Sequence, residues 1–483
     1  MASPAIPGTT DIDVLFMIGH DDDQVLDPSV RPPGCKRARC SQWTGKQSDV
    51  AIAEAVLSKF PRLRGGFART VEDLLATEAR VVVVLSYLTQ ASYAWYDKFF
   101  GALDALEGRG VVVYPSSAFK RHISSKAAYM AALQERGLPV CPTQILLRGD
   151  CVGDDGAPAA ARVEAKLRAA LGALGEARPS WLAGAKGFQL VSKPSNADGG
   201  FGVAFWSGSL PQIVGKPAAA DDDANAAADA AAAAANAGGA LGGLRLCTLL
   251  TAGSSEGAEA RRAVEAAAGS EAGGQFCEYL RRVGFADRRP ELLLQPFLPQ
   301  LAHHFEIKIY FLRRQPFYAV LTYGKEKLLA KVVRPSTDAA LFAWLQPLIA
   351  ASQRALDALP PDGPHDPKVL MRVDWGCAGG GDDEGGGGGG GADDVAAALR
   401  RDIVQRASSL GPPQKKLARA MAAHADGAPL SGDGAHIINE IELHPGFYVD
   451  WDETPDQTIE PLAQAYGEYI QRVVDEQAAR AAA

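Results

Sequence analysis

The sequence predicts an α/β N-terminal domain followed by α+β segments built on antiparallel strands. Three observations predict this. Short apolar strands alternate with helical segments up to about residue 118, the pattern of a mostly parallel sheet covered by helices. Beyond residue 188, extended runs succeed one another across turns, and the run 305–312 alternates polar and apolar residues. Two segments, about 215–274 and about 378–434, are dominated by Ala, Gly and Asp and read as insertions.

In the first domain, DVLFMIG within 11–19 is a strand and 48–60 a helix. A second helix over 70–77 feeds a strand at 80–87. The stretch 92–106 sets Trp95, Phe99, Leu103 and Leu106 on one helical face, and a strand follows at 110–114.

A helix at 124–136 ends at Gly137, and 138–147 is extended, broken by Pro139 and Pro142. An Ala-rich helix is expected over 157–176, then two strands, FQLVSKP and FGVAFW, joined by SNADGG. The segment 215–274 has too few large apolar groups for a core and is expected to be a loop. Strands are expected at 292–298, 305–312, 317–323 and 328–333, a helix at 339–359, strands at 369–375 and 436–443, and a helix at 459–478. The domains are therefore 1–118, 119–298 with the first insertion, and 299–483 with the second.

The chain of 483 residues is 47% hydrophobic, enough for sizeable cores. Net charge is −8 and the pI about 5.6, which excludes a general nucleic-acid binder. The N-terminus lacks a basic region followed by a long apolar run, and no apolar run is long enough to span a bilayer. Seven irregularly spaced cysteines fit free thiols in a reducing compartment, so a cytoplasmic location is expected. Cys35 and Cys40 have no neighbours at metal-ligand spacing.

Three motifs carry chemistry. In VSKPSNADGGFGV, Lys193 precedes a turn holding Gly199, Gly200 and Gly202, where backbone amides can approach an anion. The turn lacks a GKS or GKT ending and does not open a helix, so it is neither a P-loop nor a dinucleotide fingerprint; a hairpin with a solvated Lys is the plain alternative. In RVDWG, Arg372 and Asp374 share one strand face; in NEIELHPGF, Glu440 and Glu442 do. If these strands are neighbours, three carboxylates and an Arg converge, and a divalent cation relieves the repulsion. The run 305–312 places Glu306, Lys308 and Tyr310 opposite Ile307, Ile309 and Phe311.

Lys126, LPVCPT, KPSNADGGFGV, LLLQPFL, HFEIKIYF, RVDWG and NEIELHPGF occur in the order seen in ATP-grasp enzymes, over roughly residues 110–455 without the insertions. The last motif resembles the E-x-N-x-x-P-G pattern, and the Lys193 motif the K-P-x-x-x-x-G-x-x-G segment, of D-alanine–D-alanine ligase. The resemblance implies an ATP-grasp fold with a Rossmann-like N-terminal domain, and ATP with Mg2+ or Mn2+ as cofactors. Lys126 and Lys193 would contact the ATP phosphates, and the glycine loop Gly199, Gly200 and Gly202 would close over them. Gln295, Phe297 and Leu298 would form the hinge at the adenine, Glu306 would bind the ribose, and Lys308 would face the nucleotide. Asp374, Glu440 and Glu442 would hold the metal, and Arg372 would steady the phosphoryl group or an anionic intermediate. Gln295 and Glu442 depart from the acidic residue and the Asn common at their places.

The resemblance implies an amide-forming ligase acting on a small-molecule substrate through an acyl phosphate. KPSNADG and EIKIYF also resemble inositol polyphosphate kinases of this fold, which would need a basic acceptor site; Lys325, Lys327, Lys331 and Arg334 are its candidates. A non-catalytic nucleotide-binding module is the third reading. His303, His304 and His444 read as turn or structural residues, and the basic stretch 32–47 as a surface loop. No nucleic-acid or membrane partner is expected, and the sequence leaves the acceptor and the oligomeric state open.

Overall fold

The computed structural model describes residues 12–18, 48–85, 93–177, 188–195, 202–208, 244–250, 255–267, 274–297, 305–323, 329–363, 366–377, 436–443 and 457–482. Among these the strands form three sheets.

The first sheet is parallel. It comprises β1 (Val14–Met17), β2 (Gly65–Ala68), β3 (Val81–Val84) and β4 (Val112–Tyr114), in the order β2-β1-β3-β4. Every side chain of β1 and β3 is buried, as a sheet covered on both faces requires. Helices α1 (Ser48–Lys59), α2 (Val71–Leu75) and α3 (Tyr93–Gly108) belong to this layer. Thr70 caps α2 in a reciprocal box with Asp73.

Next come α4 (Ser117–Ser124) and α5 (Lys126–Glu135), capped by Ser116 and Ser125. The sequence predicts one helix here, beginning at 124. Ser125 adopts extended backbone between the two helices and separates them.

The second sheet contains β5 (Gln144–Leu147), β6 (Phe188–Pro194), β7 (Ala204–Gly208), β8 (Arg245–Leu249) and β9 (Glu291–Pro296). Its order is β5-β9-β6-β7-β8, antiparallel throughout. Helix α6 (Ala160–Ala177) matches the Ala-rich helix expected over 157–176, whereas β8 and α7 (Ser255–Ala266), followed by α8 (Gly274–Tyr279), correct one expectation. Within the loop expected over 215–274, residues 244–250 and 255–267 carry β8 and α7: β8 is the sheet edge, and Leu244, Leu249 and Val264 are buried in one core with Trp206, Phe276 and Leu292. These few large apolar residues suffice because an existing sheet supplies the rest of the core. The stretch 209–243 lies outside the described residues.

The third sheet contains β10 (Phe305–Leu312), β11 (Gln315–Tyr323), β12 (Leu329–Val333), β13 (Leu370–Cys377) and β14 (His436–Leu443). Its order is β12-β11-β10-β13-β14, again antiparallel. Ile307, Ile309, Phe311, Val373, Trp375 and Ile441 pack on one face with Phe119, Tyr129 and Met130. Trp375 Nε1 donates to Ser352 Oγ at 2.8 Å, so the indole is buried with its polar edge satisfied. Ser352 lies on α9 (Gln346–Ala358). The single helix expected over 339–359 is two, because Pro347 occupies the first turn of a new helix rather than an interior position.

The last helix, α10 (Ile459–Ala482), packs against α1 and the first sheet: Leu462, Tyr466, Ile470 and Val473 share a core with Val14, Phe16, Ile52 and Val56. A segment grouped by sequence with the third domain thus completes the core of the first. No helix among the described residues is long and apolar enough to cross a membrane.

Candidate active site

The polar face of the third sheet is built by strand register. Lys308 lies opposite Asp374, Arg372 opposite Glu442, and Asp374 opposite Glu440. In each pair the two side chains point to the same side of the sheet, so two-residue spacings on three strands become one cluster. Asp374, Glu440 and Glu442 each offer a carboxylate oxygen, all within 4.8 Å of one another.

Protein cations hold these oxygens. Arg372 Nε donates to Asp374 Oδ1 at 2.6 Å and its Nη2 to Asp374 Oδ2 at 2.8 Å, a two-point grip, while Nη2 also reaches Glu442. Lys308 Nζ donates to Asp374 Oδ2 at 2.8 Å and pairs with Glu306 at 2.7 Å. Lys126 Nζ pairs with Glu440 Oε1 at 2.7 Å. Burial pushes the Asp374 carboxyl up, but Arg372 and Lys308 outweigh it and hold it below its usual range. Glu440 is likewise raised by burial and lowered more by Lys126, against the opposing charge of Asp374. Both are ionised at neutral pH.

Lys126 arrives from the other side of the site. It is the first residue of α5, whose N-terminus is tied to the end of β6. Lys126 N donates to Ser195 O at 3.1 Å and Ala127 N to Ser195 Oγ at 3.0 Å. Ser125 Oγ accepts from Ala128 N, lies 3.0 Å from Ser195 Oγ, and donates to Glu291 at 3.1 Å. The first amides of the helix are thus satisfied by protein groups, and the Lys126 side chain carries the positive charge here. Ile438 N donates to Pro139 O at 2.7 Å and Val140 bridges Ile438, stitching the segment after α5 to β14.

Lys193 is on β6, opposite Leu293 of β9. Its pKa is lowered, first by burial and then by Lys126, with Cys141 and Glu440 opposing. Lys193 of β6 therefore feels both Lys126 of α5 and Glu440 of the carboxylate cluster.

The remaining predicted residues divide. Gln295 is 4% exposed and donates Nε2 to Thr143 Oγ1 at 2.8 Å, and Thr143 donates to Cys141 O. The Gln in place of an acidic residue is thus explained locally, since its amide supplies the donor that Thr143 accepts. Phe297 stands edge-to-face with Phe205, centroids 5.7 Å apart, an aromatic pair beside the strand end. Glu306 accepts from Thr322 Oγ1 at 3.2 Å as well as from Lys308. Gly202 departs from the expected role. Its N–H donates to Leu250 O at 2.9 Å and its carbonyl accepts from Tyr279 OH at 2.8 Å. With φ +73° and a Cβ position 2.9 Å from Pro194 Cγ, it is glycine for packing and does not present an amide to phosphate. Gly199, Gly200, Leu298, His303, His304, Lys325, Lys327 and His444 lie outside the described residues.

Sequence reasoning missed Ser125, Thr143, Ser195 and Glu291. Ser125 carried a signal, a Ser immediately before a helix. Thr143, Ser195 and Glu291 carried none, because their partners are about 70 to 170 residues away in sequence.

The cluster fits a hard divalent cation: its donors are oxygens only, they are grouped tightly, and Asp374 and Glu440 are held ionised.

No family model and no curated protein matches this sequence. Among solved structures the chain is similar to D-cycloserine synthetase DcsG, with 13% identity and a TM-score of 0.47 over 95% of this chain and 99% of that one. It is also similar to D-alanine–D-alanine ligase from Bacillus anthracis complexed with ATP, with 11% identity and a TM-score of 0.41 over 97% and 100%. A RimK domain ATP-grasp protein from Sphaerobacter thermophilus shows 13% identity and a TM-score of 0.36 over 75% and 86%.

Proposed function

We propose that this chain is a Mg-ATP-dependent carboxylate–amine ligase of the ATP-grasp type, working through an acyl phosphate. The observation that carries the reading is the triad Asp374, Glu440 and Glu442 on two paired strands, ringed by Lys126, Lys308 and Arg372.

Asp374, Glu440 and Glu442 would hold Mg2+. When bound, Mg2+ supplies charge neutralisation for the nucleotide phosphates. The residues of the chain do the positioning that phosphoryl transfer demands. Lys126 of α5 and Lys193 of β6 would bring two cations to the phosphate oxygens, and the Phe297 ring, edge-to-face with Phe205, would offer an apolar surface to a base. Lys308 and Arg372 exchange part of their hold on Asp374 for the incoming anions. Arg372, with two donor edges, orients the transferred phosphoryl group so that a substrate carboxylate attacks it and ADP leaves. The amine then attacks the acyl carbon and phosphate departs. Desolvation strengthens each of these contacts.

A kinase would require a basic acceptor site. Of its four candidates, Arg334 donates to Thr458 Oγ1 at 2.6 Å and lies over the Tyr318 ring at 5.0 Å, and is buried against α10. That placement takes Arg334 out of an acceptor site; the side chains of Lys325, Lys327 and Lys331 lie outside the described residues.

The test follows γ-labelled phosphate from Mg-ATP with pools of acids and amines. Label released as inorganic phosphate only when both an acid and an amine are present supports the ligase. Label retained on a small molecule replaces it with a kinase. ATP binding without turnover under any condition replaces it with a nucleotide-binding module.

A further inference from the structure

At the far end of β10 from Lys308, the chain builds a second charged concavity. The strand turns into β11 through Arg313 and Arg314, both with positive φ, 50° and 64°. This two-residue turn of the primed type is usually filled by Asn and Gly; here it projects two guanidinium groups. Facing it is α10 with Glu468, Tyr469 and Arg472, and the floor is Asp366, Pro367 and Val369. The cavity has a volume of about 420 Å3, within the range of small-molecule sites.

Its charge is positive in excess. Arg313 Nη2 pairs with Glu468 at 2.6 Å and also donates to Ala465 O at 2.9 Å. Arg314 pairs with Asp366 and lies 3.6 Å from Asp357. Asp366 is also held by Lys368 Nζ at 2.5 Å, and Lys368 is 1% exposed. Arg472 lies over the Tyr469 ring at 5.8 Å and forms no ion pair with a described carboxylate. Behind the lining, Lys368 sits among Asp366, Asp357 and Asp362, so the positive excess belongs to the lining itself, Arg313, Arg314 and Arg472 against Asp366 and Glu468. Each guanidinium has more donors than its carboxylate uses, and Arg472 has its whole fork available to an anion.

We propose that this cavity is a binding site for a compact phosphate-bearing small molecule, gripped by Arg314 and Arg472. Arg314 on the hairpin and Arg472 on the helix each offer a fork, and a phosphate has enough oxygens to take both forks bidentately at once, whereas a carboxylate, with two oxygens, pairs in this way with one. Tyr469 adds an apolar wall beside it. The site is separate from the carboxylate cluster but shares its scaffold. Arg313 N donates to Val369 O at 2.9 Å, and Val369 directly precedes β13, which carries Arg372 and Asp374.

The experiment is calorimetric titration of the full chain with inorganic phosphate and with pyrophosphate, citrate serving as the carboxylate control. Variants are Arg314→Gln, Arg472→Gln and, to silence the phosphate cations of the nucleotide site, Lys193→Ala. Phosphate or pyrophosphate binding that survives in Lys193→Ala and weakens about tenfold or more in each Arg variant is expected, the size of one charge-assisted contact. Binding lost in Lys193→Ala but intact in the Arg variants overturns the proposal, as does no binding in the parent chain. Citrate binding tighter than both phosphates overturns the phosphate class. Arg472 is exposed on a helix surface, so unaltered thermal unfolding of Arg472→Gln shows that any loss belongs to the site.

Discussion

The two ends of strand β10 solve the same electrostatic problem with opposite signs. At the Lys308 end, carboxylates are packed within 4.8 Å and protein cations stand in around them. At the Arg313–Arg314 end, cations crowd together and carboxylates stand in. The first end is buried, with Asp374 only 1% exposed; at the second, Arg313 and Arg314 side chains are 45% and 38% exposed. Burial makes each contact at the first end costly to break, while solvent screens the second. Crowded charges at the two ends therefore carry different energies, and the comparison can be broken at several points.

The largest effect is expected at Asp374. Asp374→Asn leaves Arg372 and Lys308 without their shared anion in a buried place, which costs about 3–5 kcal/mol of stability. If the proposed function holds, turnover also falls by roughly two to three orders of magnitude. Denaturant unfolding and γ-phosphate release check the two effects separately. A variant as stable as the parent would mean the pairs at this end are as weak as surface ones.

Lys193→Ala is expected to lower ATP turnover by roughly two orders of magnitude while leaving the fold intact, since the Lys is held as a cation against burial and its removal relieves that penalty. Loss of stability without loss of turnover would make it a structural Lys.

Gly202→Ala is expected to destabilise by about 1–3 kcal/mol, from a strained φ and contact with Pro194 and Val283. Tyr279→Phe, which removes one hydrogen bond to Gly202 O, should cost about 1 kcal/mol. Unfolding midpoints at constant m-value measure both.

The pH response separates the two ends. Asp374 and Glu440 have depressed folded pKa values, so the unfolded chain binds more protons. Their contribution is present above the usual carboxylate range and disappears as pH falls through it. Asp362, beside Lys368, is raised to about 6, chiefly by burial. It acts in the opposite sense, losing stability as pH rises from the usual Asp value towards 6. Lys368, lowered to about 8 by burial first and then by Arg314, gains stability as pH rises from 8 towards the ordinary Lys value. Stability curves of Asp374→Asn and Asp362→Asn against pH should flatten opposite limbs; flattening of the same limb would overturn the contrast.

The smallest effect is expected at Arg313–Glu468. This is an exposed pair, and Glu468→Gln should change stability by less than about 1 kcal/mol, less still at high salt.

Much of the site was legible. Arg372 with Asp374, and Glu440 with Glu442, are two apart, and a strand puts such residues on one face whatever surrounds it. The segment at the end of β9 was legible only as a run of residues. That Gln295 is a buried donor depends on Thr143, brought to it by β5 pairing with β9. Gly202 looked like part of a phosphate loop because glycine freedom serves anion approach and tight packing alike. Only its neighbours Pro194 and Val283, and the donor Tyr279, distinguish the two.

By itself, then, the sequence determined local period and chemistry: which residues alternate, which are charged, and where helices cap. Tertiary structure decided what lies across from them. It brought Lys126 to Glu440, gave β8 a sheet to join, and returned α10 to the first sheet. The physical reason is range. Backbone geometry fixes neighbours two to four residues apart, whereas pairing between distant strands and helices is selected by burial summed over whole faces, which no single segment encodes.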